Sequence, residues 1–188
     1  TNEVFSGIPN LRRLTIRLPI LLHGTLPYPP LDMSSLSKLE AFKCYFHLYF
    51  PIFPTVRFVF PSSLKRLSFQ HLPFRWDEMS STVIMLPNLE ELKFKSCEVD
   101  RVWTLSDKDK FKSLKLLVLS TLFLVRWEAS SENFPNLKRL IVKHCTELKE
   151  IPTDFSEIGT LESIELHNCS TSVQDSARDI QQEQEDMG

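Results

Sequence analysis

The stretch Phe134-Pro135-Asn136-Leu137-Lys138-Arg139-Leu140-Ile141-Val142-Lys143-His144-Cys145 decides the fold. Its skeleton is Leu137-x-x-Leu140-x-Val142-x-x-Cys145, with Phe134 three residues ahead. Counting Leu137 as position 1, positions 1, 4 and 6 are apolar. Position 9 is a small residue that can hydrogen-bond. Alternation over positions 4 to 6 fits a short strand with one buried face. A single copy would also fit a helix, because Leu-x-x-Leu places both leucines on one helical face.

Recurrence removes that ambiguity. Position 1 is occupied in turn by Leu11, Leu39, Leu64, Leu89, Leu114, Leu137 and Leu161, at steps of 28, 25, 25, 25, 23 and 24 residues. Positions 4 and 6 follow as Leu14/Ile16, Phe42/Cys44, Leu67/Phe69, Leu92/Phe94, Leu117/Leu119, Leu140/Val142 and Ile164/Leu166. Three residues before position 1 stand Ile8, Leu36, Leu86, Phe111, Phe134 and Ile158, with Pro61 beside Phe60 in the third copy. A period of about 20–29 residues with this skeleton is the leucine-rich repeat, one short strand and one return per copy. The pattern predicts an α/β solenoid. It is a leucine-rich-repeat horseshoe with a parallel concave sheet, a mostly irregular convex side and a C-terminal capping helix. Residues 1–170 form the repeat array of about seven copies, and 171–188 the cap and acidic tail.

Composition narrows the class. The chain has 188 residues, 42% of them hydrophobic, enough for one continuous core. The balance of 22 basic and 24 acidic residues gives a net charge of −2, so no global basic field points to nucleic acid. No apolar run reaches the length of a membrane span. Only 4 glycines are present, and none forms a phosphate-cradling loop, so no nucleotide or other cofactor is expected. The chain opens on Thr1-Asn2-Glu3 without a signal peptide. The first strand begins almost at once, which predicts a piece of a longer protein.

The returns differ between copies. Leu26-Pro27-Tyr28-Pro29-Pro30 predicts an extended, non-helical return, since proline fixes φ and removes a donor. Tyr45, Phe46, Tyr49, Phe50 and Phe53 predict an aromatic filling behind the second strand. Trp76, Trp103 and Trp127 recur after successive strands and read as a packing position on the rim or outer side. The tail places Val173, Ala177 and Ile180 at i, i+4 and i+7, one face of a helix that would close the open end of the core.

All 4 cysteines have structural places. Cys97, Cys145 and Cys169 hold position 9, turned inward to the loop backbone, and Cys44 holds position 6. No disulfide is required, and unpaired buried thiols suit a reducing, cytoplasmic compartment. No Cys-x-x-Cys is present for zinc, and His144 and Cys145, being adjacent, point to opposite faces. Neither a metal site nor a Cys/His catalytic pair is expected, and no other acid–base constellation marks an enzyme.

Positions 3, 5 and 7 point to the concave side. They carry eight basic residues, Arg13, Arg17, Lys43, Arg66, Lys93, Lys95, Arg139 and Lys143, against two acidic ones, Glu91 and Glu165. Leu116, Val118 and Ile141 add apolar area. These residues, Glu91 and Glu165 apart, form the candidate partner-binding face, suited to an acidic protein surface. The plainer reading is a solvated sheet. Nucleic acid fits less well, because the aromatics that would stack bases belong to the core.

Several segments carry a more specific resemblance. They are Leu72-Pro-Phe-Arg-Trp-Asp-Glu-Met-Ser80, Met85-Leu-Pro-Asn-Leu-Glu-Glu-Leu-Lys93, Trp127-Glu-Ala-Ser130, Phe134 to Leu140, Glu150-Ile-Pro152, Thr160 to Leu166 and Ser176 to Gln184. In these the chain resembles the C-terminal leucine-rich-repeat region of plant intracellular immune receptors of the coiled-coil, nucleotide-binding type. The likeness is to the Solanaceae groups that include late blight and virus resistance receptors. Residues 1–63 share only the repeat pattern. The resemblance implies that the region recognises a pathogen effector, directly or through a guarded host protein. It also implies that the region restrains the receptor's own nucleotide-binding module, and that the isolated fragment is a monomer. The nucleotide-binding motifs themselves are absent from this chain. A different class, the substrate adaptor of an F-box ubiquitin ligase, also uses cytosolic repeats with cysteine at position 9.

Overall fold

The structure is a computed structural model that describes residues 7–18, 30–46 and 56–187. Seven strands form one sheet: β1 Arg13–Leu18, β2 Ala41–Phe46, β3 Arg66–Gln70, β4 Glu91–Lys95, β5 Leu116–Ser120, β6 Arg139–Lys143 and β7 Ser163–His167. All neighbours are parallel, and their order in the sheet is their order in the chain. Register follows the repeat without slip: Arg13, Ala41, Arg66, Glu91, Leu116, Arg139 and Ser163 lie in one row. Each strand therefore begins at position 3 of its copy.

The same hydrogen bonds start every strand after β1. The carbonyl of position 2 accepts the N–H groups of positions 2 and 3 in the next copy, as Lys115 accepts from Lys138 at 3.0 Å and Arg139 at 2.9 Å. The turn before each strand is closed by the N–H of position 1 bonding the carbonyl three residues back, as Leu137 does to Phe134 at 3.1 Å. Just ahead of position 1, a short polar side chain ties one copy to the last. Asn88 donates to the Ser62 carbonyl, Ser113 to Pro87, Asn136 to Lys112 and Thr160 to Pro135. These bonds satisfy carbonyls that a non-helical return would otherwise leave bare.

Strand ends are set by position 8. His71, Ser96, Thr121, His144 and Asn168 all hold φ between 48° and 55°. The first four still donate their N–H to the next strand, as Thr121 does to Lys143 at 2.7 Å. The chain then swings inward, which buries position 9. Leu72, Cys97, Leu122 and Cys145 are all buried there. No glycine among the described residues supplies this left-handed conformation, so side-chain-bearing residues adopt it against their preference.

The core lies between the sheet and the returns. Leu114, Leu117, Leu119, Leu137, Leu140 and Val142 are 0% exposed. Each such side chain stabilises the fold by about 1.5–3 kcal/mol relative to exposure. Ile8 is exposed, while its counterparts Leu36, Pro61, Leu86, Phe111, Phe134 and Ile158 are buried. Returns on the outer side form short parallel pairs, Leu31–Asp32 with Phe58–Val59, Pro73–Phe74 with Glu98–Val99, and Val102–Thr104 with Arg126–Glu128. All of the proline-rich return but Pro30, and Phe46, Tyr49, Phe50 and Phe53 of the aromatic filling, fall on side chains outside the described residues. Tyr45, expected in that filling, instead stands in register with Arg17 and Gln70 on the face away from the core, because strand alternation puts it opposite Cys44.

A helix interrupts the expected irregular side. α1, Trp76–Ile84, buries Trp76, Met79, Ser80 and Val83 at i, i+3, i+4 and i+7, and Asp77 and Glu78 lie in its first turn, where the helix dipole favours acids. Trp76, Trp103 and Trp127 are buried and stacked, with centroid separations of 4.3 Å and 5.2 Å and rings 9° and 4° from parallel. The column ends edge-on against Phe155 at 5.0 Å. The tail forms α2, Thr171–Met187. Val173, Ser176 and Ile180 are buried, and Ser176 Oγ accepts the Ile151 N–H at 3.0 Å. α2 packs on the 3-10 turn Thr153–Glu157 and leaves a cleft of about 630 Å³ beside β7. Leu161, Ile164 and Leu166 are therefore only half-buried, unlike their equivalents one copy earlier.

Thr121 combines a β-branched side chain with φ 54°. Asparagine tolerates that conformation better and adds no glycine-like freedom to the unfolded chain. Thr121→Asn should raise stability by about 0.5–1 kcal/mol, read as a higher urea midpoint at an unchanged slope.

Candidate protein-binding face

The strand alternation places every predicted face residue on the side of the sheet away from the core. Arg13, Arg17, Lys43, Lys95 and Arg139 are exposed. Arg66, Lys93, Leu116, Ile141 and Lys143 are half-buried on the surface. Val118 differs: it is only 6% exposed. It lies in register between Lys93 and Ile141, both longer, and is nearly covered, while Ile141 and Leu116 stay half-buried.

The face has three rows with different electrostatics. Row 3 runs Arg13, Ala41, Arg66, Glu91, Leu116, Arg139, Ser163, and row 5 runs Thr15, Lys43, Ser68, Lys93, Val118, Ile141, Glu165. Both acids of the face are in these rows, and both are engaged. Glu91 pairs with Lys93 at 2.7 Å and Glu165 with Arg139 at 2.5 Å. The Arg139 hydrogen bond holds the Glu165 carboxyl below its usual range. Row 7 reads Arg17, Tyr45, Gln70, Lys95, Ser120, Lys143, His167 and contains no acid. Among the described residues, Arg13, Arg17, Lys43, Arg66, Lys95 and Lys143 form no salt bridge.

Position 2, just outside the strands, behaves in the opposite way. Arg12–Glu40, Lys65–Glu40, Lys115–Glu90 and Lys138–Glu162 pair each basic side chain with an acid of an adjacent copy. Charge is thus neutralised along the start of the strands and left positive across the face and along its far row. At the β1 end, Arg17 and Lys43 both lie over the Tyr45 ring, at 5.1 Å and 5.4 Å from its centroid, and the Arg17 guanidinium contacts the Tyr45 hydroxyl. A shallow depression of about 200 Å³ lies between Arg13, Ala41 and Arg66. Phe123, three residues past Ser120, is 62% exposed. It belongs to no repeat position and escapes a pattern-based reading.

The thiols are all free. Cys97 and Cys145 are buried, and Cys145 donates to the Lys143 carbonyl at 3.4 Å, as Cys97 does to Lys95 at 3.5 Å. Burial pushes the Cys97 thiol up to about 12 and the Cys145 thiol up to about 11, and burial likewise raises buried Cys44 to about 12. Cys169 departs from the expectation of full burial and is half-exposed, because no further copy covers its inner side. It still donates to the Val142 carbonyl at 3.4 Å. Among the described residues no three His, Cys, Asp or Glu side chains gather as ligands of one ion. No helix of the described residues is long and apolar enough to cross a membrane.

The resemblance read from the motifs holds across nearly the whole chain. The chain is 34% identical over 180 residues, 94% of its length, to the late blight resistance protein homolog R1B-16 of Solanum demissum. It is likewise 34% identical over 181 residues, again 94%, to the late blight resistance protein R1-A of the same species. It spans only 13% of the length of each. No protein-family model matches the chain.

Cys145→Ala should cost about 1–3 kcal/mol by opening a small void and leaving the loop backbone short of a partner. The thiols also set an alkaline limit. The folded chain holds these protons more tightly than the unfolded chain, whose thiols titrate near 9.0. Their contribution is complete below about pH 9 and is lost as pH rises through 9 towards 11–12. Urea midpoints measured from pH 7 to 10.5 should fall only at the alkaline end, and less steeply in a Cys97→Ala, Cys145→Ala variant.

Proposed function

Starting from that likeness to late blight resistance proteins, we propose that this chain is the leucine-rich-repeat solenoid of an intracellular plant disease-resistance receptor. Its seven-strand parallel sheet is then the concave wall of a horseshoe. The module works by binding in the cytoplasm, without catalysis or a cofactor. It senses a pathogen effector, directly or through a host protein, and it restrains the receptor's nucleotide-binding module. The observation that carries this reading is the open face. Six cations there form no salt bridge among the described residues, in a chain whose net charge is −2. Such a field steers an acidic protein surface and fixes its register more than it adds affinity. The position-2 row, self-neutralised by its own ion pairs, has no such vacancy.

Each surface charge alone contributes on the order of 0–1 kcal/mol, so clusters must be changed together. Reversing Arg13, Arg17 and Lys43 should weaken contact with the nucleotide-binding module and produce signalling without a pathogen. Reversing Lys93, Lys95, Arg139 and Lys143 should impair the response to the cognate effector, with most of the loss traceable to Lys95 and Lys143. The measurement is cell death in leaves expressing the full-length receptor at equal protein levels, with and without effector. Partner binding should also weaken with added salt, since such fields reach only about 8 Å at physiological ionic strength. Wild-type behaviour of both cluster variants would reduce the face to a solvated sheet.

A further inference from the structure

The proposed binding face is uneven, and its middle has a chemistry of its own. Ser120 stands in row 7 with Lys95 on one side and Lys143 on the other. Strands lie about 4.8 Å apart, so the two lysine backbones are separated by roughly 10 Å. Their side chains are long enough to meet over Ser120. Neither has a salt bridge among the described residues, while Lys93 and Arg139 nearby are engaged by Glu91 and Glu165. Two residues back along β5 and β6, Val118 is nearly covered, and Leu116 and Ile141 beside it leave half-buried apolar surface. An apolar patch and a two-lysine anion position therefore sit about two residues apart along the strands. At about 3.3 Å per residue, that is roughly 7 Å.

We infer that this patch is a docking site for a partner segment bearing an apolar side chain about 7 Å from a carboxylate. The apolar group rests on Leu116 and Ile141, over the nearly covered Val118. The carboxylate lies over Ser120 and accepts hydrogen bonds from both Lys95 and Lys143, a charge-assisted arrangement that a single lysine cannot supply. In an extended segment this spacing is an apolar residue and an Asp or Glu two positions apart, with the residue between them pointing away. A flat acidic surface would use the lysines and leave the apolar patch uncovered. A nucleic acid would find no aromatic side chain at this position to stack upon.

The inference rests on the open face being the binding face, and the test separates the two. Random peptides displayed on phage are selected on the 188-residue chain, and one enriched peptide is made and titrated. Enrichment should favour an apolar residue and an acid two positions apart. Lys95→Glu with Lys143→Glu should weaken that peptide at least tenfold. Renewed selection on this variant should replace the acid with Lys or Arg. Lys95→Gln with Lys143→Gln, matched to wild type in thermal midpoint, serves if reversal disturbs folding, and should also weaken the peptide. Enriched peptides without the acid, binding indifferent to both lysines, or no enrichment overturns the docking site. If binding is instead lost on reversing Arg13, Arg17 and Lys43, this site fails while the open face keeps its role. If neither cluster affects any selected peptide, the proposed role of the open face fails with it.

Discussion

Each copy of the repeat is too small to bury its own apolar residues, and this constraint shapes the whole molecule. Positions 1, 4 and 6 disappear only because a neighbouring copy lies against each side. The gradient of burial shows it directly. Leu137, Leu140 and Val142 are fully buried, yet Leu11, Leu14 and Ile16 at one end and Leu161, Ile164 and Leu166 at the other are half-buried. Stability in such an array is a property of interfaces between copies rather than of any copy alone. The polar ties obey the same logic. Asn88, Ser113, Asn136 and Thr160 each bond the copy before, and each position-2 carbonyl serves the copy after.

Burying position 9 requires an abrupt inward swing of the chain. Position 8 takes this strain by adopting positive φ in five consecutive copies, without a glycine in any of them. The return on this swing is twofold. It seals the interior with Leu72, Cys97, Leu122 and Cys145, and it leaves the residues before it in an unbroken strand. Thiols held this way are poor nucleophiles, since burial opposes the thiolate. Their place is in packing and in backbone hydrogen bonding, which is consistent with the absence of any disulfide among them.

The regular interior frees the face of the sheet to vary. Residues at positions 3, 5 and 7 touch none of the core, so their chemistry is set by other demands. The outcome is a cationic end around Tyr45, an apolar patch around the nearly covered Val118 and a row without acids. The ion-paired position-2 row contrasts with this, and that contrast is what supports the proposed binding face. Charges meant only for solubility are commonly interspersed with opposite ones, as they are at Arg12, Glu40 and Lys65.

Periodicity alone determined the seven strands, their parallel order, the side each residue faces and the inward place of the cysteines. It could do so because a strict repeat forces every copy into equivalent surroundings. The tail helix was legible for a related reason, since Val173, Ala177 and Ile180 can share a face only in a helix. Other features depended on contacts between residues far apart in the chain. α1 lay on a side expected to be mostly irregular, because its buried face is made by Ser80 and Trp76 as much as by Met79 and Val83. The stacking of three tryptophans, the engagement of Glu91 and Glu165, and the near-disappearance of Val118 on an open face are all products of neighbouring copies meeting in register. The resulting split of the candidate face into paired and unpaired cations could be decided only by tertiary structure, because a charge is neutralised by what lies beside it in space.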